Sequence, residues 1–333
     1  MSESRRKFLK LGGVVAAGTF LPLTSAGAQT GPVKRLRFAH AGTTDTVWQL
    51  WAEQFKKGIE DKTGGKITLQ IFPNAQLGNE RETAQAVRVG SVEMGAIGAG
   101  LTGWVQDMAV TDAPFLWKSR KQAYNALDGG LGEELRKRCL EKGFRLIGWT
   151  ELGSRCMANS KRPIKTAKDV SGLKMRVPVA KAYIALMEAL GASTVAIDIS
   201  ELYLALSQGV ADGCEPPVSV VKATKIHEVQ KYVSKTDHIL TTAYTVVNPK
   251  TYDGLTADEQ KAFNASCREA DVAVRQFTVK DELECFTFYK ERGLDVTMDV
   301  DVASFREVCA PVIGKFPDLF APDLVKMAQT TPE

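Results

Sequence analysis

Side chains suited to catalysis are scarce in this 333-residue chain. It has three histidines, His40, His227 and His238, and none falls in an HExxH motif or at the helical spacing of paired metal ligands. There is no GxSxG elbow to expose a serine and no CxxC pair for redox exchange or zinc. Carboxylate pairs such as Glu133/Glu134 and Asp281/Glu282 are adjacent in sequence, so on a helix they diverge and read as solvated faces. His227 reads as an ordinary surface or packing residue, and His40 closes a strand where it could line a cleft. After residue 28 no apolar run is long enough to cross a bilayer. Excess charge of one sign is also lacking. The formal net charge is +4, but the first 28 residues hold four bases and one acid, and without them it falls to +1. That balance points to neither nucleic acid nor an anionic membrane surface.

The N-terminus supplies most of the basicity. Ser4-Arg5-Arg6-Lys7-Phe8-Leu9-Lys10 precedes an apolar run from Leu11 to Leu23 and then Ala26-Gly27-Ala28. A basic region, a short apolar segment and small residues form an export signal, here of the twin-arginine type, cleaved near Ala28. No cysteine precedes Cys139, so no lipid anchor is expected at that cleavage point. The six cysteines (Cys139, Cys156, Cys214, Cys267, Cys285, Cys309) are widely and irregularly spaced, and most are expected to be buried free thiols.

The remainder is long enough for two domains of ordinary size. Strand Leu36–His40, helix 46–61 with Trp48, Trp51, Phe55 and Ile59 on one face, strand Ile67–Phe72, a helix to Arg88 and strand Glu93–Ile97 alternate as in an α/β domain with a mostly parallel sheet. The rhythm restarts with strands near Arg145–Trp149, Leu173–Val177 and Thr194–Ile197, and with helices at Ala180–Leu190 and from Ser200. Two α/β units are therefore expected, with the chain passing between them near 150–155 and 240–245. Thr256-Ala257-Asp258-Glu259 is a capping box, and the helical pattern behind it runs without Gly or Pro to Arg292, with Phe263, Cys267, Ala270, Val274, Phe277, Leu283 and Phe286 within it. At 1.5 Å per residue such a helix is on the order of 50 Å long, enough to brace both units. The tail from Asp301 reads as one or two short helices broken at Pro311 and Pro317.

Two groups of residues compete for function. Gly98-Ala99-Gly100-Leu101-Thr102-Gly103 fits GxGxxG and follows a strand, which would suit an exported NAD(P)-dependent oxidoreductase. Yet the segment behind it is short for a crossover helix, and no strand about 20 residues on ends in the acid that holds the ribose. The other group is Arg155 and Arg176, each beside an expected strand end, where open α/β sheets place their ligands. A guanidinium there offers a fork that grips a carboxylate bidentately. The plainer alternative is an ion pair with a structural acid such as Asp169 or Asp212.

Gln76-Leu77-Gly78, Gly172-Leu173-Lys174-Met175-Arg176-Val177-Pro178, the segment from Glu201 to Gly213 and Glu228-Val229-Gln230-Lys231-Tyr232 resemble the solute-binding proteins of TRAP transporters, the C4-dicarboxylate- and sialic-acid-binding type. The resemblance implies a two-lobed α/β clamshell with a long helix spanning both lobes: lobe I as 33–152 and 241–280, lobe II as 153–240 and 281–333. It also implies a periplasmic, monomeric receptor, not an enzyme and without a cofactor, that takes a small carboxylate to the membrane subunits of a TRAP permease. Arg176 stands where the family's RVP arginine grips the ligand, and Arg155 resembles its second, more variable arginine. Ala41, Gly98, Val179, Ile199 and Pro216 stand at ligand-facing positions, with Trp104 added from its loop. An asparagine of the sialic-acid-binding members is replaced by Pro216, and polar groups by Ala41 and Gly98. The cleft is therefore expected to suit an acid with an apolar or aromatic body. Dicarboxylates and hydroxy or keto acids remain open, as does whether Glu215 or Asp198 meets the ligand.

Overall fold

The computed structural model describes residues Val33–Glu333; the expected export signal lies outside them. Apolar residues at alternate positions open the described chain as β1 (Lys34–His40). Then follow α1 (Val47–Thr63), β2 (Ile67–Phe72), α2 (Glu80–Val89) and β3 (Met94–Ile97). Gly64 ends α1 at a φ of 57°, a left-handed conformation that costs glycine little. Two 3-10 segments, Ala99–Gly103 and Gln106–Asp112, replace a crossover helix before α3 (Arg120–Asp128), α4 (Gly130–Glu141) and β4 (Arg145–Ser154).

Beyond β4 the chain enters a second sheet. It forms β5 (Met157–Asn159), β6 (Lys174–Val177), α5 (Lys181–Ala189), β7 (Ser193–Ala196), α6 (Leu202–Ser207), β8 (Gly213–Cys214), α7 (Val218–Ala223) and β9 (Tyr232–Ser234). It then returns through β10 (Leu240–Val247) and α8 (Pro249–Asp253) into α9 (Ala257–Glu291), and ends with β11 (Asp295–Thr297), α10 (Val302–Lys315) and α11 (Pro322–Thr330).

One sheet has the order β2-β1-β3-β10-β4 and the other β11-β9-β5-β8-β6-β7. In the first, β1, β2 and β3 are parallel and β10 runs antiparallel to both β3 and β4. The two lobes share their connections. Residues 155–156 and 235–239 cross between the sheets side by side, tied by the Arg155 N–H donating to the Ile239 carbonyl at 2.9 Å. The capping box opens α9 as expected. Phe263, Cys267, Ala270 and Val274 of α9 pack in the first lobe's core with Trp51 and Phe55, and Cys285, Phe286 and Tyr289 pack in the second lobe's core. One helix thus contributes to two cores.

Two expectations need correction. Pro311 does not break the tail but lies inside α10, on its exposed side, where water can serve the Glu307 carbonyl that lacks its N–H partner. The last residues also do not stay with the second lobe. Leu324, Val325 and Ala328 of α11 join a core with Leu127, Leu131 and Leu135, and Arg138 of α4 pairs with Asp323. All six cysteines are buried free thiols.

Candidate functional site

Arg176 is the third residue of β6, and the pleat turns it away from Met175 and toward the first lobe. It is 2% exposed, and its Nε donates to the Ile197 carbonyl at 2.8 Å. That bond fixes the guanidinium plane and leaves both terminal nitrogens without a protein partner among the described residues. Burial pulls its pKa below the ordinary arginine value while Glu215 opposes the shift, yet a guanidinium stays charged in protein.

Arg155 lies where the chain leaves β4, and its fork is committed. Its Nη2 donates to Glu215 Oε1 at 2.8 Å and its Nε to Oε2 at 2.5 Å. His238 lies 3.3 Å from the same Oε2, and the Arg155 guanidinium stacks 4.5 Å over the Tyr183 ring. Burial alone would favour a protonated Glu215, but the attraction of Arg155 and the hydrogen bonds from His238 and Arg155 outweigh it and hold the carboxyl below its usual range. The structural acid is thus Glu215, 60 residues along the chain, in place of Asp169 or Asp212. The one outward bond of Arg155 runs from Nη1 to Thr241 Oγ1 at 3.4 Å.

Both arginines line a cleft between the lobes that encloses about 520 Å³, its open mouth included. Gly98, Val179, Ile199 and Pro216 line it too. Two expected residues do not. Trp104 is half-buried in the first lobe, edge-on to Phe144 and beneath the Arg88 guanidinium at 4.9 Å. Ala41 is buried beside Gly42, over which the Trp48 ring packs so closely that a Cβ could not fit, and it is Trp48 that reaches the cleft. The Trp48 Nε1 has no partner among the described residues.

Sequence reasoning passed over Trp48, Glu80, Tyr183 and Thr241 and left Asp198 open. Glu80 is the most informative. It opens α2 after its Asn79 cap, and its Oε2 and Oε1 accept the backbone N–H groups of Gly100 and Gly98 at 2.8 and 3.1 Å. Burial raises its pKa and Asp198 adds to the rise, while the two N–H bonds favour the ionised form. Asp198 is half-buried, and burial raises its pKa against the pull of Arg176. Two acids therefore stand among the apolar groups that had suggested an apolar ligand body. The GxGxxG segment is also explained: the amides that would cradle a pyrophosphate already hold the Glu80 carboxylate, which would repel one. That arrangement speaks against the oxidoreductase alternative. A pairing signal was available in sequence, an acid in the first turn of the helix preceding the glycine strand-turn.

The chain is similar to known proteins over most of its length. The family model of bacterial extracellular solute-binding proteins, family 7, matches residues 38–318. A solute-binding protein of Verminephrobacter eiseniae is 35% identical over 80% of both chains. The 2,3-diketo-L-gulonate-binding periplasmic protein of Escherichia coli is 29% identical over 95% of this chain and 96% of its own. The crystal structure of a TRAP periplasmic solute-binding protein from Polaromonas sp. JS666, bound to D-erythronate, superposes with a TM-score of 0.87 at 31% identity, covering 90% of this chain and 99% of that one.

Proposed function

Because the chain belongs to the bacterial extracellular solute-binding proteins of family 7, we propose that it is the periplasmic receptor of a TRAP transporter, holding a small hydroxylated acid by its carboxylate on Arg176. The observation that carries this reading is the Arg176 fork, fixed at Nε, buried and aimed into a cleft between two lobes with its terminal nitrogens free. A planar cation so placed gains two charge-assisted bonds at little cost in side-chain ordering. Arg155, paired with Glu215 through two of its N–H groups and with Thr241 through a third, shapes the cleft and keeps two N–H donors. Relatives that carry D-erythronate or are named for 2,3-diketo-L-gulonate support an acid with several oxygens over an aromatic one. The working cycle is capture, lobe closure, docking on the membrane subunits and release, with no bond made or broken in the solute.

Calorimetric titration with a panel of small carboxylates and their amides tests the reading. Arg176→Ala is expected to weaken the acid by at least 100-fold, since truncating one partner of a buried charge pair costs about 3 kcal/mol. The amides should bind neither protein. An acid that binds Arg176→Ala as tightly as the parent protein would sink the proposal.

A further inference from the structure

Behind the strands that cross between the lobes lies a second hollow, of about 580 Å³ with its open mouth included. Ser154 of β4 and Leu240 of β10, paired across the ladder, line it, while their chain neighbours Arg155 and Thr241 line the cleft. A single layer of chain therefore separates the two spaces. Phe115, Trp117, Lys118 and Arg120 wall the hollow from the first lobe. Arg306 walls it from the second, on α10, whose Ser304 Oγ accepts the Ala167 N–H at 3.0 Å. The turn Ala113–Leu116 holds Phe115 at a φ of 51°, a conformation that glycine takes more readily than any residue with a Cβ. A phenylalanine kept there has a use for its ring, and the Arg306 guanidinium lies 4.8 Å over that ring. The one acid lining the hollow, Asp237, is paired with Lys235, and Arg120 is taken by Glu151 and Glu282. His238 has a partner on each ring nitrogen, Thr236 and Glu215. The side chains of Lys118 and Arg306 have neither a carboxylate partner nor a hydrogen-bond acceptor among the described residues.

We propose that this hollow is a second ligand site, taking a small carboxylate with a flat apolar body, and that its occupation favours the closed cleft. Two open cations and no open acid select an anion. The Phe115 and Trp117 rings, both half-buried, offer flat walls against which an apolar body sheds its hydration. A guanidinium already stacked on one ring keeps its N–H edge for a carboxylate. The coupling rests on the receptor reading above. Both lobes wall the hollow on the far side of the crossing strands, so a rotation that opens the cleft brings Arg306 toward Lys118. In this structure the lobes are joined across the cleft, by the Arg81 bond to the Val179 carbonyl at 3.1 Å, and the hollow is open. An occupant is squeezed when the cleft opens and so binds the closed form better. By linkage the two ligands then strengthen each other.

Calorimetric titration with benzoate tests the site, in a protein carrying Arg176→Ala so that the cleft does not compete. Benzoate is expected to bind at millimolar concentration or below, and its uncharged amide about 10-fold or more weakly. Adding Arg306→Glu or Lys118→Glu should each weaken benzoate by about 10-fold or more. Phe115→Gly keeps the turn, removes the ring and should weaken it too. The coupling is read with Arg176 intact, as the affinity for the acid that the carboxylate panel selects. Saturating benzoate should raise that affinity about 3-fold or more. Arg306→Glu should abolish the gain and leave the affinity without benzoate unchanged. Absence of benzoate binding overturns the site, as does binding indifferent to both charge reversals and to Phe115→Gly in folded variants. Benzoate that binds there but leaves the cleft affinity unaltered, or lowers it, overturns the coupling. A panel that finds no acid for the cleft removes the receptor reading and the coupling together, and the site then stands or falls on the benzoate titrations alone.

Discussion

Asp112 is 1% exposed at the junction of the lobes, where its Oδ1 accepts the Tyr183 hydroxyl at 2.7 Å and its Oδ2 has no partner among the described residues. Burial raises its pKa first, and Glu215 and Glu80 add to the rise. The Tyr183 bond and Arg155 pull the other way, and the balance lies at about 7 against an ordinary 3.8. Below about pH 4 the folded and unfolded carboxyls are both protonated and the group contributes nothing to the slope. Between that point and 7 the folded protein keeps a proton that the unfolded chain has lost, so stability falls as pH rises, by at most about 1.4 kcal/mol per unit. Asp112→Asn keeps the acceptor for Tyr183 and removes the titration. Urea unfolding at pH 5 and 8 should show the variant losing less stability over this range than the parent protein, and standing above it at pH 8. Parallel pH profiles would refute that assignment.

At the scale of the element, α9 shows how far a local signal carries. Thr256 Oγ1 accepts the Glu259 N–H at 3.3 Å, and Glu259 Oε2 accepts the Thr256 N–H at 2.8 Å, as the capping motif alone implies. Thr256→Ala is expected to cost about 1 kcal/mol, read as a lower urea midpoint with an unchanged slope. A midpoint within error of the parent would show that Lys34, whose Nζ bonds Glu259 at 2.6 Å, holds the helix start without the cap. What the motif could not show is which face of α9 stays wet between the two cores. Phe277 and Leu283 obey a helical period but join neither lobe's core, because burial depends on what the rest of the chain brings alongside.

For the molecule as a whole, the lobes meet across the cleft through few polar contacts. Arg81 Nη2 donates to the Val179 carbonyl at 3.1 Å, and Thr43 Oγ1 to the Ala223 carbonyl at 3.3 Å. A ligand held between two lobes binds more tightly the more stable the closed form is. Arg81 is exposed and lies outside the cleft lining, so Arg81→Ala should act chiefly through closure, with a smaller electrostatic effect by way of Asp198. One surface hydrogen bond contributes about 0.5–1.5 kcal/mol, which predicts a 2- to 10-fold loss of affinity by titration calorimetry with the thermal midpoint of the ligand-free protein little changed. Unaltered affinity would mean that this bond does not help to hold the lobes shut.

The alternating strands, the helix caps, the long helix and the pair of α/β units are written in contiguous residues, because hydrophobic period and turn chemistry act over a few positions. Arg176 was legible for the same reason: a strand four residues long dictates where its arginine points. The partner of Arg155 was not, since Glu215 reaches it only when β4 and the segment after β8 meet at the crossing between sheets. Nor could the chain alone tell that Trp104 turns into the first lobe while Trp48 faces the cleft. Both are aromatics in apolar surroundings, and only packing separates them. The charge balance of the cleft, one open cation beside two acids, is a tertiary property throughout. Each charge sits on a different element, and what a ligand meets is set by which of them other side chains have already neutralised.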